Sequence, residues 1–211
     1  MSILDQLSSQ TGDRTEYSNR RVAIQCQDDP DLLADIVAGL RNLEVAIVGD
    51  CAEVLTKVAE AQPDLVASSA GALVPLLSSR KTRVRWEAMH ALALVSHLAP
   101  GTIDTALPQL SEILRTDKSV IVRDYATDAL AGYAATSETA ARAAYPLLKM
   151  MLTSWNGKQA GHALQGMRNV AAQAPALLPE LRITAQEYLS FPRAVVRMAA
   201  KSLQKTLASL S

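Results

Sequence analysis

A single phenylalanine stands among 211 residues, and aromatic residues together make up only 4% of the chain. A β-sandwich or barrel of this size would draw on aromatic and β-branched side chains to fill its core, so the shortage argues against both. Cysteine is as scarce. Cys26 and Cys51 are the only two, with no CxxC pair, which excludes a disulfide framework and fits a reducing, cytoplasmic setting. Charge of either sign is not in excess, because 21 Lys and Arg balance 21 Asp and Glu. No global field therefore draws the chain onto nucleic acid or an anionic membrane, and such binding would need a local patch. Long apolar runs are missing too: ALVPLL at 72 to 77 is far too short to span a bilayer. The opening MSILDQLSSQ lacks the basic region and apolar core of a secretory signal. Glycine and proline, at nine each, are few.

Hydrophobic residues make up 49% of the chain, enough to bury a core. With Ala and Leu abundant, the composition favours helices packed closely through small side chains. The pattern V-R-x-x-A-x-x-A-L appears twice, as VRWEAMHAL from Val84 and VRDYATDAL from Val122. Weaker copies begin at Ile47, Gln159 and Val196, so the anchors are spaced 37, 38, 37 and 37 residues apart. A second series, the late Leu of an apolar helix, recurs at Leu40, Leu77, Leu114, Leu152 and Leu189. It lies 30 residues after the preceding anchor, and the one extra residue falls in the turn TDKSV at 116 to 120. Two series in step through an insertion define a true repeat.

Each repeat is predicted to be two helices. Offsets 0, 4, 7, 8 and 11 from the anchor share one face of the second helix at about 100° per residue and are mostly apolar. Offset 4 is Cys51, Ala88, Ala126, Ala163 and Ala200, a small column that lets helices approach closely. The first helices are ADIVAGL, GALVPLL, PQLSEIL, PLLKMML and ITAQEYL, with Pro108, Pro146 and Pro179 expected early in a helix or at its entry.

On these motifs the chain resembles HEAT-repeat proteins. The resemblance implies an all-α, right-handed α-solenoid of five two-helix repeats at approximately 30–60, 64–97, 103–135, 139–172 and 176–208. Together they form a repeat domain over 30–211, preceded by an N-terminal helical cap over 1–29. It also implies that Asp117 and Arg123 belong to a hydrogen-bonded ladder tying adjacent repeats, with Arg85 at the same position of the second repeat.

With the core offsets assigned, offsets 2, 3, 6 and 10 of the second helices are left to meet a partner. Their candidate groove residues are Asp50, Glu53, Trp86, Glu87, His90, Asp124, Tyr125, Asp128, His162, Gln165 and Asn169. The expected function is a non-enzymatic protein-binding scaffold whose acidic, aromatic groove takes a basic segment of a protein partner. Affinity would sum over modest contacts along the repeats. The alternative is a basic ridge of intra-repeat turns, Arg80, Lys81, Arg83, Arg115, Lys118, Lys158 and Arg193, gripping a DNA backbone as the HEAT-like alkylpurine DNA glycosylases do. Helix dipoles alone favour cations at helix ends, which accounts for much of that ridge. Trp86, Trp155, Asp124 and Asp128 are of the right types for a glycosylase pocket, but no motif joins them.

HEAT-type deoxyhypusine hydroxylases hold iron through His-Glu pairs. The matching pairs here are Trp86-Glu87, Asp124-Tyr125 and Gly161-His162, so neither metal nor cofactor is expected. GxSxG, P-loop, GxGxxG and HExxH motifs are all missing, and bilin lyases are a fold-level analogy only. Met198 and Leu203, with no polar capping repeat before Leu210-Ser211, suggest an apolar end through which two copies could stack as a homo-oligomer.

Overall fold

A computed structural model describes residues 2 to 210; Ser211, part of the expected stacking end, lies outside the described residues. Every regular element among them is helical. The chain forms two compact units, Met1–Ala99 and Pro100–Ser211.

The first unit holds α1 (Ser8–Thr11), α2 (Tyr17–Asp28), α3 (Leu33–Gly39), α4 (Val45–Ala61), α5 (Pro63–Ala67), α6 (Ala70–Leu73) and α7 (Thr82–Val95). Its centre is α4, buried without interruption from Ile47 through Thr56. On it pack α7, through Val84, Ala88, Ala91, Leu92 and Val95, and α2, through Val22, Ala23 and Cys26. Close approach of α3 to α4 depends on Gly39, where a Cβ would stand 2.5 Å from the Cys51 Sγ. The segment GALVPLL, expected as one helix, is broken into α6 and a 3-10 turn, Val74–Ser78. Pro75 has no N–H to give, and its ring crowds the preceding turn.

The second unit holds α8 (Pro100–Thr116), α9 (Val120–Ala134), α10 (Glu138–Met151), α11 (Ser154–Gly157), α12 (Ala160–Gln173), α13 (Leu178–Tyr188) and α14 (Ala194–Ser209). Here helices pair as α8 with α9, α10 with α12 and α13 with α14, and the second members stack as α9, α12 and α14. Their apolar columns are buried at Val122, Ala126, Leu130 and Tyr133, then at Ala163, Met167 and Val170, then at Val196, Ala200, Leu203 and Leu207. At Gly166 a Cβ would lie 2.9 Å from that of Ala131, so this crossing needs glycine. Pro108 and Pro146 do not begin their helices. Both lie inside, because α8 and α10 start earlier, at Pro100 and Glu138. Each proline is exposed, and a helix can open its outer hydrogen bonds toward water with little loss.

The repeat arginine closes its own turn. Arg85 donates to the Ser79 carbonyl at 2.8 Å, Arg123 to the Asp117 carbonyl, and Arg197 to the Phe191 carbonyl at 2.9 Å. The acceptor in each case is six residues earlier and in the same repeat. These bonds cross the intra-repeat turn. The register is the same, and the physical task is satisfying carbonyls orphaned at a helix end.

In α11 the backbone turns left-handed, with φ of 53° at Trp155, 57° at Asn156 and 67° at Gly157. Such angles are costly for a bulky residue and need support from outside the turn. Trp155 has it: its Nε1 donates to the Leu114 carbonyl at 2.8 Å, and its ring lies 3.9 Å from the guanidinium carbon of Arg123.

Candidate binding surface

In the first unit the structure brings together Asp50, Glu53, Trp86 and Glu87, but three of them are not on the open surface. Asp50, Glu53 and Glu87 are 1%, 6% and 8% exposed, although their offsets place them among the side chains left to meet a partner. The cause is the N-terminal segment. It folds over α4 so that the Ser9 N–H donates to Asp50 at 2.7 Å, and the Asn19 amide donates to Asp50 at 3.1 Å and to Glu53 at 2.9 Å. Arg83 completes the cluster, donating to Asp50 at 2.8 Å and Glu53 at 2.5 Å. It was expected on the basic ridge, yet its charge is spent on these two carboxylates.

Burial pushes the Asp50 carboxyl up, but its bonds from Ser9, Asn19 and Arg83 outweigh that and hold it below the ordinary aspartate value. Glu87 goes the other way: burial raises it, and the 2.5 Å bond from the Trp86 Nε1 does not compensate. Above the cluster opens a cavity of about 330 Å³, lined by Asp13, Glu16, Asp50, Glu53 and Glu87 against Arg14 and Arg83, with Trp86 as its aromatic wall. Five carboxylates face two guanidinium groups, and the Lys57 ammonium, 2.8 Å from Glu16 and 3.4 Å from Glu53, offsets a third charge; the balance left is acidic and attracts cations. His90 stands apart, half-buried, with Nε2 4.0 Å from Glu60.

In the second unit the groove candidates bond neighbouring second helices together. Gln159 donates to Asp124 at 3.0 Å, His162 Nδ1 meets Asp128 at 2.7 Å, and Asn169 donates to the Ala131 carbonyl at 2.8 Å. Asp128 and the His162 imidazole form an ion pair that raises the histidine above its usual value, against a smaller effect of burial. Gln165 accepts from Arg168 at 3.2 Å, and Tyr125 is half-buried on α9. A cavity of about 260 Å³ lies between α12 and α14, bounded by Asp128, Lys158, His162, Gln165, Arg193 and Val195 among others.

The remaining ridge residues Arg80, Lys81, Arg115, Lys118 and Lys158 are exposed, whereas Arg193 donates to the Gly157 and Lys158 carbonyls. Met198 is 63% exposed, but Leu203 is fully buried, so only the former is available for stacking. Both thiols are buried, and burial pushes Cys26 up to about 11 and Cys51 up to about 12. Sequence periodicity gave no sign of Ser9 and Asn19 as partners of Asp50. They precede the repeats and share no register with them.

No family model and no curated protein matches the sequence. Solved structures are. The chain is similar to the designed armadillo repeat protein YIII(Dq)4CqI at 19% identity and a TM-score of 0.75, covering 97% of this chain and 98% of that one. A second designed armadillo repeat protein, in complex with the peptide (KR)4, gives 18% identity and a TM-score of 0.76 over 97% and 98% of the two chains. A protein described only as engineered gives 19% identity and a TM-score of 0.71 over 99% and 98%. At such identities the likeness concerns the fold, and it makes the fold a helical repeat, an α-solenoid.

Proposed function

We propose that the protein is a non-enzymatic binding scaffold of HEAT-like repeats, and that the acidic cavity of its first unit takes a basic side chain of a protein partner. The observation that carries this reading is Arg83. Its guanidinium sits across Asp50 and Glu53 with bonds of 2.8 and 2.5 Å, so the cluster already holds the kind of group a basic partner would offer. Next to it the cavity continues toward Asp13, Glu16, Glu87 and the Trp86 ring. There a second guanidinium or ammonium would find carboxylates and an aromatic face, at a gain of roughly 0.5–2 kcal/mol for the cation–π contact alone. A relative in fold binds a peptide of alternating Lys and Arg, which supports the same ligand chemistry here. The HEAT-like assignment is supported by the paired helices of the second unit and by the arginine that recurs at one register position.

The test is calorimetric titration at low salt with the (KR)4 peptide and with a Glu peptide of equal length. Binding of the first and not of the second is expected. Trp86→Ala and Glu87→Gln should each weaken it about fivefold to tenfold. If the protein instead binds generic duplex DNA, loses that on Arg80→Glu with Lys81→Glu, and ignores the basic peptide, the basic ridge is the functional surface.

A further inference from the structure

The same register positions that are acidic in the first repeat are not acidic in the fourth. Three and six residues after the anchor stand Asp50 and Glu53 in the first repeat, and His162 and Gln165 in the fourth. The position just before the following anchor, which supplies Arg83 across the acidic pair, is Val195 in the last repeat. The cavity between α12 and α14 is thus the counterpart of the acidic cavity without its acidic pair and without the arginine across it. His162 and Gln165 make one wall, Val195 and Ala199 the other, and Lys158 and Arg193 stand at its edge.

Several hydrogen-bond donors of this cavity are uncommitted. The Lys158 ammonium has no hydrogen-bond or ion-pair partner among the described residues, and the His162 Nδ1 is held by Asp128 while its Nε2 has none. Gln165 uses its oxygen, for Arg168, and keeps its amide N–H groups. Arg193 spends one nitrogen on the Gly157 and Lys158 carbonyls. Three cationic side chains and an amide therefore converge on one cavity whose single carboxylate, Asp128, is already paired.

We propose that this cavity binds an oxyanion carried by a protein partner, the carboxylate of an acidic side chain or the phosphoryl group of a modified one. It is separate from the acidic site and does not depend on it. A duplex backbone presents successive phosphates and needs a row of free cations. A single cluster beside apolar Val195 and Ala199 suits one acidic side chain on a polypeptide. His162 makes the site sensitive to pH. The charged groups facing it are Asp128 and Asp124 from α9, and Lys158 and Arg193 from the turns before α12 and α14; no residue of α10 or α13 lines the cavity. The Asp128 carboxylate keeps the imidazolium to a higher pH than an ordinary histidine, so oxyanion binding is strong below that range and weakens as the pH rises through it.

The experiment is NMR of the histidine side chains of the whole protein, titrated with inorganic phosphate and, separately, with N-acetylglutamate amide. The signal lost on His162→Gln identifies that residue. A saturable shift of the His162 signal is expected with at least one probe, and the tighter probe identifies the source of the oxyanion. Lys158→Glu should weaken binding about fivefold or more without changing the melting temperature, since the Lys158 ammonium has no structural partner. In Asp128→Asn the pH at which binding is half lost should move down. No saturable shift with either probe, affinity unchanged in Lys158→Glu, or an unmoved pH profile in Asp128→Asn would each overturn the proposal. The (KR)4 titration and its Trp86 and Glu87 variants are read separately, so either site can fail alone.

Discussion

The Arg123 guanidinium lies over the Trp155 indole, 3.9 Å from ring centre to guanidinium carbon, although the two residues are 32 positions apart and belong to different repeats. Arg123 is 1% exposed. Burial pulls its guanidinium below its usual value, partly offset by Asp124 and Asp117. The ring replaces some of the water this cation has lost, and the left-handed turn at α11 is what puts it there.

Removing that ring should therefore cost more than its surface position suggests. Trp155→Ala is expected to destabilise by about 2–4 kcal/mol, from lost packing and an uncovered buried cation. Trp155→Phe keeps an aromatic face for Arg123 and gives up the bond to the Leu114 carbonyl with part of the ring's packing, about 1–2 kcal/mol. Urea denaturation of the two variants would separate these contributions, and equal losses would contradict the stacking account.

Asn156 adopts a φ of 57° that glycine reaches without steric penalty. Asn156→Gly should leave Trp155 in place and stabilise by about 0.5–1 kcal/mol, less what the unfolded chain gains in entropy. A raised melting temperature checks this. A loss of more than about 1 kcal/mol, beyond what the unfolded-chain entropy supplies, would mean that the Asn156 side chain holds the turn.

Two buried carboxyls respond to acid in opposite senses. Asp50 is held below its unfolded value, so its contribution to stability is present above about pH 4 and is lost as the pH falls through the depressed folded value. Glu87 is held above its unfolded value, so its ionisation costs stability at neutral pH, and that cost disappears on acidification. Glu87→Gln should raise the melting temperature at pH 7, whereas Asp50→Asn should lower it at pH 7 and flatten the acid limb of the stability curve. Thermal scans across that range read both signs.

Cys26 and Cys51, buried and pushed up to about 11 and about 12, should not react with a thiol reagent at pH 8 while the protein is folded. Both should react fully in denaturant. Rapid labelling of either thiol in the native protein would place the α2 and α4 packing in doubt.

The repeat period was legible because each second helix solves the same packing problem. Val84, Ala88 and Leu92, or Val122, Ala126 and Leu130, are buried where the offsets put them. Prolines were less legible. The apolar pattern does not say how far a helix extends on its exposed side, which is why Pro108 lies inside α8. Among the site residues, the pairing of His162 with Asp128 joins offsets 3 and 6 of adjacent repeats, a relation that repeat spacing permits but does not require.

The sequence by itself determined the helical period, the buried columns and the residues that each second helix turns away from its core, because these depend on local geometry repeated every 37 or 38 residues. Only the tertiary structure decided which of those outward residues meet solvent. Asp50 and Glu53 lost it to Ser9, Asn19 and Arg83, while His162 kept an open nitrogen beside Lys158. Hydrogen bonds between segments far apart in the chain follow from how the N-terminal segment and neighbouring repeats dock, and the period of the repeats carries no record of that docking.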